Sequence, residues 1–281
     1  MPLILIGLSR LCRIALSGWP TLGCRNEDGK QRDRSGDRSV RAWLQRRQKP
    51  HLPYEASRVG RLWLMRDAER KNLRDYRGEE WVVHDVAAQE ADAVVRQHAR
   101  PGFAISVVIA NEDPDGPTRT AYKALGYRLL RTEGFFVHRL RRIPSPPAVA
   151  VASVERVQTA ERAAAQLGKI IRRQPIPDHL LGDSAPLRQY VAVDGADIVG
   201  RVRSLDAVEA TWCSSMYVEP SHRRRGIGQA LMSKMLHDDR ARGSRCSVLA
   251  ATHAGALLYP RMGYERIGTL LIFAPMNRKP V

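Results

Sequence analysis

The residues best suited to chemistry lie between Tyr217 and Leu231, where an apolar, strand-like run gives way to Arg223, Arg224 and Arg225, then to Gly226, Ile227 and Gly228, and then to a helix-forming stretch. A strand that runs into a basic, glycine-containing turn and opens a helix leaves several backbone N–H groups unpaired at the positive end of the helix dipole. Such a turn cradles an anion. Glycine at 226 and 228 removes side chains that would hold a pyrophosphate away from the backbone, and the three arginines supply counter-charge to its oxygens. Taken alone, the same pattern also describes a plain helix N-terminus with a solvated basic face.

The surroundings sharpen that reading. The segment resembles the acetyl-CoA signature of the GNAT superfamily of N-acetyltransferases, R/Q-x-x-G-x-G/A, matched by Arg223, Gly226 and Gly228 and preceded by an apolar strand that ends at Met216 to Pro220. Downstream, Ala256 to Tyr264 (ALLYPRMGY) is similar to the superfamily's A-x-x-L-Y-x-x-x-G-F/Y helix and turn. The resemblance implies that the backbone from Arg223 through Arg224, Arg225, Gly226 and Ile227 to Gly228 binds the pyrophosphate of coenzyme A. It also implies that the backbone of Met216, Tyr217 and Val218 hydrogen-bonds the pantetheine arm, and that Tyr259 protonates the leaving thiolate. A positioned phenol O–H suits that role, although Tyr259 also suits simple packing on an amphipathic helix.

Two departures from the family pattern stand out: Thr252 where many members carry Asn, with His253 beside it, and Pro260, which removes a backbone donor directly after Tyr259. The implied chemistry is direct attack of a neutral amine on the acetyl thioester, polarised by backbone N–H groups of the strand that ends at Val218. Asp206, Glu209, Glu219 and His222 are the titratable groups the topology brings near, though each is also an ordinary surface residue. Cys213, spaced along the strand with Ser215 and Tyr217, is an acyl-carrying nucleophile or, more simply, a small packed residue.

The elements that must position these groups follow from periodicity and turn residues. In the second half the expected order is a strand over 153–157, a helix behind Thr159, strands over 189–193, 198–204 and 210–218, a helix from Gly226 to about Arg240, a strand over 246–250, a helix over 254–262, and strands over 264–267 and 270–274. This predicts an α/β fold, a mixed sheet flanked by helices, which in the family is the GNAT acyl-CoA acyltransferase fold. The first half reads as ordered from Tyr54, with a helix over 85–99, a strand over 103–110, a helix over 118–125, and short strands over 127–131 and 135–140. Its Ala121 to Tyr127 parallels Leu258 to Tyr264, so the half resembles a second, degenerate GNAT-like unit without a cofactor loop; Arg77 to Asp85 stands where that loop would be.

Pro144, Pro146 and Pro147 mark a stiff linker. The expected organisation is therefore a basic segment over 1–52, a degenerate unit over 53–142, a linker over 143–150 and a catalytic domain over 151–281. Residues 1–50 hold eleven Lys or Arg against four acids and little apolar periodicity, the composition of a flexible tail.

The chain of 281 residues carries a formal charge of +17, which raises a nucleic-acid reading, but no helix-turn-helix, zinc-finger or RNA-binding motif accompanies it. Cys12, Cys24, Cys213 and Cys246 show neither a CxxC pair nor zinc-ligand spacing, which predicts no metal and a reducing, cytoplasmic setting. The apolar start is interrupted by Arg10 and Arg13 and lacks the form of a bilayer span. The sequence thus predicts a cytoplasmic enzyme that moves an acetyl group from acetyl-CoA to a small-molecule or peptide primary amine. The alternative is a non-enzymatic GNAT-like protein that binds acyl-CoA or nucleic acid.

Overall fold

A computed structural model describes residues 55–66, 78–110, 114–145, 153–164, 176, 178–207, 210–252 and 255–276. The chain forms two compact units, one ending at Phe135 and resuming at Ile267, the other running from Phe136 to Arg266. The divide falls slightly upstream of the proline-rich stretch, and the C-terminal strand belongs with the first unit.

In the second unit, β6 (Ser153–Arg156), β7 (Leu187–Asp194), β8 (Asp197–Ala207), β9 (Ala210–Val218) and β10 (Cys246–Ala251) lie in the order β10-β9-β8-β7-β6. β6 through β9 pair antiparallel, while β9 and β10 are parallel. The β7–β8 hairpin turns at Gly195, whose φ of 59° suits a two-residue loop between the paired Asp194 and Asp197. A short helix over Ala160–Ala164 follows β6, and a long helix over Ile227–Ala241 joins β9 to β10. The long helix buries Ile227, Ala230, Leu231, Met235 and Leu236, spacing that lays one face along the sheet. Its core partners include Tyr190, Val199, Val202, Cys213 and Leu249. Beyond its end, Gly243 at φ 84° and the Ser244 N–H to Asp239 carbonyl bond close the last turn.

The first unit orders its strands β1-β2-β3-β4-β11-β5, where β1 is Glu55–Val59, β2 Leu62–Arg66, β3 Glu80–His84, β4 Ala104–Ala110, β5 Tyr127–His138 and β11 Glu265–Pro275. Its helices are α1 (Ala88–His98) and α2 (Gly116–Ala124); in the second unit, the helix over Ala160–Ala164 is α3 and the long helix α4. Trp81, Val83, Ile105, Val107, Tyr122, Tyr127 and Phe273 form the core beneath α1 and α2.

Three expectations change. The pairs of short strands expected over 127–131 and 135–140, and over 264–267 and 270–274, are single strands, β5 and β11. The region over 254–262 is not an α-helix: residues 255–259 form successive turns and Pro260–Met262 a single 3-10 turn, because Pro260 has no N–H to extend a helical ladder. α1 begins only at Ala88, since Asp85 sits at φ 52°, outside the helical region. Among the described residues, no helix is long and apolar enough to cross a membrane.

Candidate active site at the end of β9

β9 matches its expected span, and its two ends behave differently. Ala210 to Cys213 are buried, whereas Ser214 to Val218 are half-buried. The parallel pairing with β10 covers Ala210–Cys246, Thr211–Ser247 and Trp212–Val248 and stops there, although β9 continues to Val218. Past Trp212 and Val248 the two strands part. On its other side β9 stays paired with β8 but carries an extra residue: Arg203 lies opposite Ser214 and Arg201 opposite Tyr217. This bulge places Ser215 at φ 56°, a left-handed backbone conformation in the strand.

A 3-10 turn over Pro220–His222 then leads into the basic loop. Arg224 and Gly226 adopt left-handed conformations, φ 61° and 81°, and Gly226 is the residue from which α4 starts. No side chain caps that helix, so its first N–H groups have no side-chain acceptor. Arg224 and Arg225 are exposed. Arg223 folds back and donates from Nε to the Val218 carbonyl at 3.0 Å, tying the loop to the strand it leaves. His222 is held to the β7–β8 turn, Nε2 to Asp194 Oδ2 3.2 Å, with Ser221 Oγ 2.9 Å from its Nδ1.

Gly228 lies where the site is tightest. A Cβ there would sit 3.1 Å from Met216 Cε and 3.4 Å from Leu258 Cδ2. The close approach brings β9, the helix start and the Ala256 to Tyr264 segment together, as two sequence motifs about thirty residues apart require if they form one site. Tyr259 is 7% exposed, with its ring 6.0 Å from Phe136 and 5.7 Å, edge-on, from Tyr264. Burial raises its pKa, so the phenol keeps its proton and can only donate it.

The other titratable residues separate clearly. Asp206 pairs with Arg188 at 2.6 Å and Arg242 at 3.4 Å, a structural role. Cys213 is buried with its Sγ 3.8 Å from Met232 Sδ, and burial pushes the thiol up, which denies it the thiolate a nucleophile needs. Glu209 and His253 lie outside the described residues. Among the described residues, no group of three His, Cys, Asp or Glu is placed to hold a metal. Arg201 and Arg203 carry no sequence signal beyond strand alternation, and the bulge at Ser215 has no residue-level signal at all.

Residues 186–266 match a family model described as the acetyltransferase (GNAT) domain. The stretch is a GNAT domain. The match takes in β7 through β10, the basic loop and the Tyr259 segment. Solved structures share the fold over most of the chain. A GCN5-related N-acetyltransferase from Kribbella flavida is 16% identical with a TM-score of 0.60, covering 80% of this chain and 91% of that one. One from Sphaerobacter thermophilus is 18% identical, TM-score 0.55, covering 92% of each chain. A GCN5-related N-acetyltransferase-like protein from Streptococcus suis is 9% identical, TM-score 0.51, covering 96% of this chain and 99% of that one. At such identities these likenesses establish the fold alone. No curated protein matches the chain.

Proposed function

We propose that the second unit is an acetyl-CoA-dependent N-acetyltransferase that acts on a primary amine in the cytoplasm. The observation that carries the reading is the parting of β9 and β10 after Trp212 and Val248, beside a helix start with uncapped N–H groups and the close approach of Gly228 to Met216. Strand edges freed by such a gap seek backbone-like partners, and the amides of a pantetheine arm supply them. Met216, Tyr217 and Val218 would offer those partners. The backbone of Arg223, Arg224, Arg225, Gly226, Ile227 and Gly228 would hold the pyrophosphate.

In the reaction the neutral amine forms a C–N bond at the thioester carbonyl, the C–S bond breaks, Tyr259 gives its proton to the leaving thiolate, and the proton shed by the amine nitrogen passes through water to restore the Tyr259 phenol. The bulged β9 backbone near Ser215 supplies N–H groups toward the carbonyl oxygen as its charge grows.

The first unit is read as a degenerate GNAT-like unit without a donor site. There β3 and β4 remain in parallel register through all five residues, Glu80–Ala104 to His84–Val108, and leave no gap. Asp85, an acid, precedes α1 where the second unit has its arginines. The test is thiol release from acetyl-CoA in the presence of a broad panel of amines, with the acetylated amine identified by mass. Amine-dependent release supports the reading. Tight acetyl-CoA binding without transfer to any amine would favour the non-enzymatic acyl-CoA-binding alternative.

A further inference from the structure

β8 carries two arginines that the donor site does not use. Along this strand Gly200, Val202 and Ser204 face α4: a Cβ on Gly200 would meet Leu231 and Ile227, Val202 joins the same core, and Ser204 Oγ donates to Asp239. By alternation, Arg201 and Arg203 point to the opposite face. There the Arg201 guanidinium lies 5.9 Å from the Tyr217 ring centroid, and Arg203 donates from Nε to Gln189 Oε1 at 2.5 Å. Tyr217 on this face packs against the cluster that holds Leu180, Leu181 and Leu187, so the arginines share their face of the sheet with the segment over 178–187.

Neither cation has a counter-charge among the described residues. Among the described residues no carboxylate pairs with Arg201 or Arg203, and the buried Nε of Arg201 has no hydrogen-bond partner. Both are half-buried. Burial lowers the pKa of each, and for Arg203, with Arg201 beside it, to about 10. By contrast, Arg188 on the other face of the sheet is bound to Asp206 and Asp239. Two adjacent guanidinium groups partly withdrawn from water without a counter-charge destabilise a fold, and such a cost persists where an anion is to be received. Their position in the register is specific: Arg203 opposes Ser214 and Arg201 opposes Tyr217, so the pair brackets the β9 bulge from the face away from α4.

We propose that Arg201 and Arg203 form an anion subsite for the acceptor, so that the substrate is a small primary amine that also bears a carboxylate or phosphate group. The assignment to an acceptor rests on the acetyltransferase reading. The anion site itself does not.

Calorimetry on the full chain, saturated with CoA so that the pyrophosphate cradle is filled, compares phosphoethanolamine with ethanolamine and β-alanine with β-alaninamide. The anionic member of at least one pair should bind at least about tenfold tighter, as charge-assisted bonds to guanidinium predict. Arg201→Gln and Arg203→Gln should each abolish that preference while leaving CoA affinity unchanged. Arg203→Gln should also raise the melting temperature, which separates lost binding from lost folding. Equal affinity within both pairs, no binding by any of the four, or a preference that survives both substitutions overturns the proposal. If CoA does not bind, the acetyltransferase reading fails; the same pairs titrated into the free protein and its Arg201→Gln variant still decide the anion site.

Discussion

Gly200 on β8 lies directly against Ile227, the first residue of α4: a methyl group on Gly200 would stand 3.3 Å from Ile227 Cγ2 and 3.0 Å from Leu231 Cδ1. The contact sets the start of α4 close to the sheet and therefore fixes where its unpaired N–H groups point. The same strand presents Arg201 and Arg203 on its other face, so one β-strand serves both the donor end and the acceptor side of the proposed site.

Tyr259 is expected to act at the chemical step and not in binding. Tyr259→Phe keeps the packing against Phe136 and Tyr264 and removes only the O–H. Steady-state kinetics should show kcat lowered by about two orders of magnitude, within the usual range for loss of a general acid, with acetyl-CoA affinity little changed. An unaltered kcat would make Tyr259 a packing residue.

Asp239 anchors the far end of α4. Its buried carboxylate accepts from Arg188 Nη2 at 3.0 Å, Ser204 Oγ at 2.7 Å and Thr211 Oγ1 at 2.7 Å. Asp239→Ala would leave Arg188 buried with one counter-charge fewer, and denaturant unfolding should register a loss of about 3–5 kcal/mol. A loss below about 1 kcal/mol would show that water or Asp206 takes over.

Glu80 makes the first unit sensitive to pH. Burial, only partly offset by the Ser106 Oγ bond of 2.6 Å, raises its pKa from 4.5 to about 7. The folded state then holds a proton that the unfolded state has released, so stability falls as pH rises from about 4.5 to about 7. Glu80→Gln should remove that decline, worth at most about 3 kcal/mol, when unfolding is compared at about pH 5 and about pH 8. Parallel pH profiles for variant and wild type would contradict it.

What the sequence revealed was governed by local rules. β9 ends just before Pro220, which has no N–H for a ladder, and α4 begins within one residue of its glycine signal. What it concealed depended on distant partners. Gly268 falls between the short strands expected over 264–267 and 270–274, yet it lies within β11, where a Cβ would come 2.5 Å from the Ile109 carbonyl oxygen; glycine lets the strand pass close to β4, about 160 residues earlier. The gap beside β9 was equally hidden, because it is a pairing that ceases at Trp212 and Val248, and no residue type encodes a missing ladder. The basic loop carried enough of its own chemistry to be read; Arg201 and Arg203 became conspicuous only once their lack of carboxylate partners was visible.

The most direct measurement is calorimetric titration of acetyl-CoA into the full chain and into Gly228→Trp, with circular dichroism to establish that the variant folds. A Cβ on Gly228 already stands 3.1 Å from Met216 Cε and 3.4 Å from Leu258 Cδ2, so a bulky indole must occupy the cradle or displace its walls. The account predicts saturable binding of one acetyl-CoA per wild-type chain, lost in the folded variant. Absence of binding to well-folded wild type, or equal binding by Gly228→Trp, would contradict it.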